Sequence, residues 1–172
     1  MENVYHSGIY IQKLKQETEL RSFCSTFTDL KQFLFHDAFR NQEQNISVTF
    51  LCFYKNYIIS YITLLTDRIT VQQDLHDFFT QKDINYKTLP ALKIGRMCVD
   101  DRFQKQGIGT LMLEIALQKA KNINEHTAGC RFLTVDAKNE SQEFYRKFGF
   151  KPIRNNQETT AMYLDIKLSQ QN

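Results

Sequence analysis

Two kinds of hydrophobic spacing run through the chain and predict a mixture of strands and helices. Residues 46–54 carry an apolar side chain at every second position, which is the spacing of a strand with one buried face. Residues 57–65 are rich in β-branched and aromatic side chains, which favour a second strand. Lys55 and Asn56 lie between them and predict a two-residue hairpin turn, because asparagine tolerates the left-handed backbone that such turns require.

The residues on either side of this hairpin predict shorter elements. Before it, a strand is expected at Gly8–Leu14. Helical spacing follows at Glu17–Ser22 and Asp29–Arg40, with Thr28 as the N-cap of the second helix. After the hairpin, residues 67–90 form a long connection that contains a short helix. A connection of this length in a compact domain is usually functional or disordered.

The second half alternates strands and helices more regularly. Its longest helix carries apolar residues three and four positions apart along one face. The predicted elements are, in order, the strand Ala91–Val99, the helix Ile108–Ile123, the strand Arg131–Ala137, the helix Ser141–Phe148, a strand opened by Gly149 and Phe150, and the strand Thr160–Lys167. This layout predicts an α/β fold, α+β in some schemes, with a mixed central sheet flanked by helices.

Composition adds the expectation of one globular domain. The 172 residues include 42% hydrophobic and 24% charged side chains, which is ordinary for a single domain spanning residues 1–172. No repeat and no glycine- and serine-rich linker divides the sequence. The apolar runs are far shorter than a membrane span, and the N-terminus has no signal-peptide pattern. We therefore expect a cytoplasmic protein without a membrane partner.

The cysteines and the charge narrow the chemistry further. No Cys-x-x-Cys pair occurs, which predicts reduced core thiols rather than a metal site. The four cysteines are Cys24, Cys52, Cys98 and Cys130. Residues 91–172 carry 13 basic and 9 acidic side chains, whereas residues 1–90 carry 9 and 10. This mild basic excess suits an anionic ligand, but it is too sparse for a dedicated nucleic-acid-binding protein.

One segment carries the most specific chemical signal. The strand that ends at Val99 leads through a polar turn to Gly107 and Gly109, which open the long helix. The first amides of a helix have no internal partners and the helix dipole adds positive charge there, so this turn suits a phosphate or pyrophosphate. Lys105 adds a mobile charge. The alternative is a tight turn that only packs the helix on the strand, since neither a P-loop nor a dinucleotide fingerprint is present.

Two motifs in a fixed order resemble those of a known family. A Gln-x-x-Gly-x-Gly motif starts at Gln104 after one strand, and a Tyr-x-x-x-Gly-Phe motif starts at Tyr145 after the next strand. The pair is similar to the motifs of the GNAT superfamily of acyl-CoA-dependent N-acetyltransferases. The resemblance covers residues 91–166, and residues 8–65 match the family only in layout. It implies the GNAT fold, an acyltransferase activity and acetyl-CoA as co-substrate, with no metal.

The resemblance also implies which residues hold coenzyme A. In the family, the glycine loop binds the pyrophosphate through backbone amides, and the preceding strand pairs with the pantetheine arm, splaying away from its neighbour. The thioester carbonyl would lie near the peptide between residues 97 and 98, whose N–H would stabilise the oxyanion. In this chain the strand contacts fall on Met97, Cys98 and Val99, and the loop contacts on Gln104, Lys105, Gln106, Gly107, Ile108, Gly109 and Thr110.

The same resemblance gives Tyr145 a catalytic role. In the family, the tyrosine at this place donates a proton to the departing thiolate. A phenol with a pKa of about 10 is protonated at neutral pH and can act as that acid. The alternative is that Tyr145 is a core aromatic residue beside Phe144 and Phe148.

Two features depart from the family pattern. The asparagine that the family often places before the second helix is replaced by Lys138, and Asn139 follows it. Asn139 either contacts the pantetheine or caps the helix, with Gln142 in capping-box spacing. Residues 91–99 contain no carboxylate, and Arg96 cannot act as a base, so the expected base is a water relayed by the backbone or a loop carboxylate.

Three further carboxylates outside the motifs have structural interpretations. Asp100 and Asp101 are expected to shape and cap the turn after the strand. Asp136 is expected to be a satisfied polar residue of its own strand, with an orientation into the site as the alternative.

These features predict direct acetyl transfer from acetyl-CoA to a primary amine of a small molecule or peptide, in a ternary complex. Cys98 lies near the expected thioester, but its neighbours Met97 and Val99 are apolar and give no reason for a lowered thiol pKa. An acyl-cysteine intermediate is therefore not expected.

Two other functions stay open at this point. Residues 89–100 resemble the corresponding region of GNAT toxins that acetylate aminoacyl-tRNA and pair with a DNA-binding antitoxin, which would make tRNA and an antitoxin the partners. The missing strand carboxylate and the shifted Asn139 are also compatible with a non-catalytic acyl-CoA sensor. A homodimer through the strand at 160–167 is compatible with the sequence but not required by it.

Overall fold

The computed structural model describes residues 8–71 and 73–170. Its strands are β1 (Ile9–Lys13), β2 (Val48–Tyr54), β3 (Tyr57–Thr70), β4 (Thr88–Val99), β5 (Phe132–Lys138), β6 (Lys151–Asn155) and β7 (Thr159–Asp165). Its α-helices are α1 (Thr28–Gln32), α2 (Ala38–Glu43), α3 (Gln73–Thr80), α4 (Ile108–His126) and α5 (Gln142–Lys147). The strands form one mixed sheet in the order β1-β2-β3-β4-β5-β7-β6, which confirms the predicted fold class.

Residue contacts divide the chain into two compact units. The first comprises Met1–Leu65 and Ile94–Ala116, and the second comprises Thr66–Lys93 and Leu117–Asn172. Strands β3 and β4 and helix α4 each contribute residues to both units. The single domain expected from composition is not tested by this division and stays a prediction.

The predicted hairpin is present in the first unit. Strands β2 and β3 pair antiparallel, with Tyr54 opposite Tyr57. Lys55 and Asn56 have φ angles of 47° and 67°, and two successive positive φ angles are the signature of a type I′ turn. This turn twists in the same sense as the strands it joins. The pairing shifts its register between Cys52 and Phe53, where the ladder is irregular.

The helical region after β1 is confirmed in part. Helices α1 and α2 are joined by a π-helical turn at Phe33–Asp37, so the predicted helix at Asp29–Arg40 is continuous but not uniformly α-helical. The prediction that Thr28 is the N-cap is wrong. The cap position is Phe27, and no side chain caps the helix.

The predicted helix at Glu17–Ser22 is also wrong, because side chains there bind the backbone in turns. The Thr18 hydroxyl accepts a hydrogen bond from the Lys15 amide at 3.1 Å. The Glu19 carboxylate accepts one from the Arg21 amide at 3.0 Å. Such local bonds offer the backbone an alternative to helix formation, and hydrophobic spacing alone does not reveal them.

Each unit has its own hydrophobic cluster. In the first unit the cluster combines the loop before α1, the helical region and the hairpin, and it includes Phe23, Leu34, Leu51, Tyr61 and Cys98. In the second unit the cluster includes Ile69, Phe79, Leu89, Ala91 and Phe132. Phe79 of α3 meets Phe132 of β5 edge to face, with ring centroids 6.1 Å apart. The predicted short helix is therefore present as α3, and the core holds it in place. The connection around it is shorter than the predicted 67–90, because β3 continues to Thr70 and β4 begins at Thr88.

The cysteine prediction is right for three residues. All four cysteines are free thiols, and Cys52, Cys98 and Cys130 are buried, whereas Cys24 is exposed. Within residues 8–71 and 73–170, no helix is both long and apolar enough to cross a membrane.

Candidate active site

The chain leaves β4 through a turn that is organised by a buried carboxylate. Asp100 has no exposed surface. The Asp100 carboxylate accepts three hydrogen bonds from Arg102. The donors are the Arg102 backbone amide at 3.0 Å, Nε at 2.8 Å and Nη2 at 2.7 Å. The carboxylate also accepts one from the backbone amide of Cys24 at 2.7 Å. The expectation that Asp100 shapes and caps this turn is confirmed.

Asp101 fixes the next part of the turn. Its carboxylate accepts hydrogen bonds from the Thr26 amide at 2.7 Å and from the Gln104 side-chain amide at 2.8 Å. Gln104 Nε2 also lies 3.5 Å from the Val99 carbonyl oxygen. The Nε2 group of Gln104 is thus committed to the turn.

The glycine loop has the geometry that an anion requires. Lys105 and Gly107 have φ angles of 60° and 80°, which turn the backbone sharply before α4. The Leu111 amide donates to the Gly107 carbonyl oxygen at 3.0 Å, and the three amides that precede Leu111 lie in the first turn of the helix. A Cβ atom at Gly107 would meet no atom within 4 Å, and the first turn of α4 holds no acidic residue. This turn therefore has room for an anion such as a phosphate group.

Cys98 is a neutral thiol inside the first hydrophobic cluster. Burial raises its pKa to about 11, although a contact with the Ser25 hydroxyl, 3.3 Å from Sγ, acts in the opposite direction. The Ser60 hydroxyl donates to the Cys98 carbonyl oxygen at 2.8 Å. A thiol with this pKa is almost entirely protonated at neutral pH and is a poor nucleophile. The flanking Met97 and Val99 are only partly buried.

Tyr145 is a buried phenol on α5 in the second unit. Its side chain is 6% exposed, and its ring meets Phe144 and Phe150 edge to face with centroids 5.2 and 5.4 Å away. Burial raises the pKa of its hydroxyl to about 12, so the phenol is protonated at neutral pH. Among the described residues, this hydroxyl has no hydrogen-bond partner, so it is free to bind a ligand atom.

Asn139 does not cap α5. The cap position is Ser141, and the Asn139 Oδ1 atom instead accepts a hydrogen bond from Gln142 Nε2 at 2.9 Å. The capping alternative is therefore wrong, although the two residues do meet. Asn139 is exposed, which leaves its amide group accessible to a ligand.

Asp136 is satisfied within its own sheet, as expected. Its carboxylate accepts a hydrogen bond from Lys93 Nζ at 2.6 Å. Within the described parts of the chain, no group of three or more His, Cys, Asp or Glu side chains is arranged to hold a metal ion.

The first unit thus brings together the strand residues Met97, Cys98 and Val99 and the loop residues 104–110, while Asn139 and Tyr145 belong to the second unit. Sequence reasoning missed the contacts of Ser25 with Cys98 and of Cys24 with Asp100. No short-range motif signals them, because the partners are 73 and 76 residues apart in the chain.

Comparison with known proteins decides the family. A family model described as an acetyltransferase (GNAT) domain matches residues 12–163, which is most of the chain. The chain belongs to the GNAT acetyltransferase family. This GNAT protein is therefore an acyltransferase with acetyl-CoA as co-substrate, as the two sequence motifs implied. No protein with a curated description matches it.

Solved structures with this GNAT fold cover nearly the whole chain. The structure described as AtaT complexed with acetyl-methionyl-tRNAfMet has a TM-score of 0.82 at 22% identity, over 95% of this chain and 98% of that one. A tyrosine-to-phenylalanine mutant of KacT has a TM-score of 0.83 at 18% identity, over 96% and 99%. A structure described as AtaTR bound with AcCoA has a TM-score of 0.79 at 23% identity, over 95% and 97%. At these identities, the likeness establishes the fold alone.

Proposed function

We propose that this GNAT protein transfers the acetyl group of acetyl-CoA directly to a primary amine, within one ternary complex. The observation that carries the proposal is the state of Cys98. It is the cysteine of β4, and its thiol is buried with its pKa raised to about 11. An acyl-enzyme route through this residue would need a thiolate, which this environment disfavours. Direct attack by the amine requires no protein nucleophile.

Backbone groups bind the donor in this proposal. The amides from Gln104 to Thr110 bind the pyrophosphate, and the main chain of Met97 and Val99 pairs with the pantetheine arm. The amide of Cys98 stabilises the oxyanion that forms as the amine attacks the thioester. Asn139 adds a side-chain contact to the pantetheine. The open space above Gly107 supports this assignment.

Tyr145 is the general acid of the proposed reaction. The neutral amine forms a bond to the carbonyl carbon, the carbon–sulfur bond breaks, and the phenol donates its proton to the departing thiolate. The raised pKa of Tyr145 keeps the phenol protonated until that moment. A water relayed by the backbone or a loop carboxylate takes the proton that the amine releases.

An aminoacyl-tRNA is the first acceptor to test. The supporting observation is the near-complete match to the AtaT structure that is complexed with acetyl-methionyl-tRNAfMet. The basic excess of residues 91–172 is compatible with such an acceptor. Under this proposal the protein acts in the cytoplasm as a toxin and has an antitoxin partner. A small-molecule or peptide amine is the second candidate, and a homodimer stays a prediction.

Acetyl transfer to two acceptor pools tests the proposal. Labelled acetyl-CoA is offered to bulk aminoacyl-tRNA and, separately, to a panel of amines, polyamines and peptides. Label on the tRNA pool alone supports the toxin function, and label on a small amine or peptide supports an ordinary N-acetyltransferase. Binding of acetyl-CoA with no transfer to either pool would contradict the proposal and favour an acyl-CoA sensor.

A further inference from the structure

The π-helical turn at Phe33–Asp37 places an aromatic ring against the core of the first unit. π-Helical turns are rare in proteins, and many of those that are found lie at functional sites. The Phe33 ring stacks on Tyr61, with centroids 6.4 Å apart and planes 23° from parallel. Tyr61 is fully buried, and its hydroxyl donates to the Leu30 carbonyl oxygen at 2.7 Å, which anchors the helix just before the turn. The position of the Phe33 ring is therefore well defined.

The same ring supports an arginine of β4. The Arg96 guanidinium carbon lies 5.5 Å from the Phe33 ring centroid, which is a cation–π contact. Arg96 directly precedes Met97 in β4, and it shares a strand face with Cys98, because side chains alternate along a strand. A fixed positive charge therefore lies on the strand that we propose holds the thioester.

This charge is available to a ligand. Arg96 is exposed, and within the described part of the chain its guanidinium forms no ion pair. It donates one hydrogen bond, from Nη1 to the Gly95 carbonyl oxygen at 2.7 Å. A guanidinium has five N–H donors, so most of them are unused. By contrast, Arg102 and Arg131 each pair with a buried carboxylate, at 2.7 and 2.6 Å.

We propose that Arg96, held in place by Phe33, is a subsite that binds an oxyanion of the acceptor, either a carboxylate or a phosphodiester. The guanidinium presents a planar pair of donors that matches both groups. Stacking on Phe33 restricts the side chain before binding, which lowers the entropy lost when the anion binds. This inference rests on the proposed acetylation of an amine, and it adds that the acceptor carries a negative charge near the amino group.

Arg96→Gln tests the subsite by comparing charged and neutral acceptors. For an anionic acceptor we expect KM to rise about tenfold, with kcat within about twofold of wild type. For its neutral counterpart we expect no change in KM. The carboxylate arm compares a free amino acid with the neutral amino acid amide. The phosphodiester arm compares aminoacyl-tRNA with aminoacyl-adenosine, which has no phosphodiester. The arm that responds identifies the carboxylate or the phosphodiester as the recognised group.

Two companion variants separate the subsite from a general loss of structure. Phe33→Leu is expected to raise the KM for the anionic acceptor by a smaller factor than Arg96→Gln. The Arg96 charge remains in this variant, but the aromatic ring that holds the guanidinium is lost. Arg154→Gln is the matched control, since Arg154 is also an exposed strand arginine but lies on β6 in the other unit. It should leave KM unchanged for every acceptor. The affinity for acetyl-CoA should be the same in all three variants and the wild type.

The contrary results distinguish a failure of the subsite from a failure of the proposed function. An Arg96→Gln variant with wild-type KM for every acceptor would overturn the subsite. An equal loss with charged and neutral acceptors would also overturn it, because recognition of an anion cannot affect a neutral molecule. Wild-type protein that binds acetyl-CoA but acetylates none of these acceptors would instead contradict the proposed function.

Discussion

The Asp100 carboxylate and the Cys24 backbone amide are joined by a 2.7 Å hydrogen bond across 76 residues of sequence. The bond ties the segment before α1 to the end of β4. Ser25, the next residue along, contacts the Cys98 thiol at 3.3 Å. One buried carboxylate therefore positions both the turn that leads to the glycine loop and the segment that packs on β4.

We expect Asp100→Asn to lower the free energy of unfolding by about 2 kcal/mol. The variant keeps the shape of the side chain but loses the charge and one acceptor, while the Cys24 and Arg102 donors remain. Arg102 is about half exposed, and solvent screening keeps the loss below that of a fully buried pair. Urea denaturation measures the change. An unfolding free energy equal to that of wild type would show that these hydrogen bonds contribute little.

Tyr145→Phe is expected to lower kcat by about 100-fold or more, because the variant removes the proposed proton donor. The affinity for acetyl-CoA and the melting temperature should change little, since the hydroxyl has no partner among the described residues and the ring contacts persist. Tyr10→Phe is a matched control, because Tyr10 is a half-exposed residue of β1 that stacks on Phe53. Full kcat in Tyr145→Phe would remove this residue from the mechanism.

The pH profile should show no alkaline decline between about pH 8 and 10. Tyr145 serves as an acid only while protonated, so its contribution is present below its pKa and lost above it. Burial raises that pKa to about 12. The rate should rise with pH as the acceptor amine loses its proton and then level off. An alkaline decline with an apparent pKa near 9 that disappears in Tyr145→Phe would contradict the raised pKa.

Gly107→Ala is expected to weaken acetyl-CoA binding and to cost about 1 kcal/mol of stability. The φ angle of 80° is strained for any residue with a Cβ atom, and the new methyl group occupies the open space that we assign to the pyrophosphate. Gly129→Ala is the control, since Gly129 lies in a loop and the nearest atom to its added Cβ is 4.0 Å away. Calorimetric titration with acetyl-CoA measures the affinity. Unchanged affinity in Gly107→Ala would place the pyrophosphate elsewhere.

Much of the fold follows from local patterns. The hairpin was predictable because the strand spacing and the Lys55-Asn56 turn agree, and both turn residues have the positive φ angles that the turn requires. The segment at 17–22 was not predictable from spacing, since the turn depends on the Thr18 hydroxyl and the Glu19 carboxylate bonding to nearby amides. The π-helical turn also leaves no trace in the apolar periodicity of residues 29–40.

The candidate site also combines features that local sequence predicts with features that depend on long-range contacts. The glycine loop is a local feature, so its position and its approach to α4 could be predicted from Gly107 and the strand before it. The link from Asp100 to Cys24 and the Arg96 contact with Phe33 join residues that are distant in sequence. Such pairs become visible only when the chain is folded, because no fixed spacing relates them.

We expect Cys98→Ala to retain kcat within about threefold of wild type. The amine attacks the thioester directly in this account, and the thiol of Cys98 is buried and neutral. Intact-mass measurement after incubation with acetyl-CoA alone should show no acetylated protein. An acetyl adduct that is present in wild type and absent in Cys98→Ala would establish an acyl-cysteine intermediate instead.

Simultaneous measurement of acetylated amine and released coenzyme A thiol tests the central claim most directly. Wild-type protein is incubated with labelled acetyl-CoA, with and without the aminoacyl-tRNA and amine pools. The account predicts that thiol release depends on the acceptor and that each released thiol corresponds to one acetylated amine. Tight binding of acetyl-CoA with no acceptor-dependent release in any pool would contradict it.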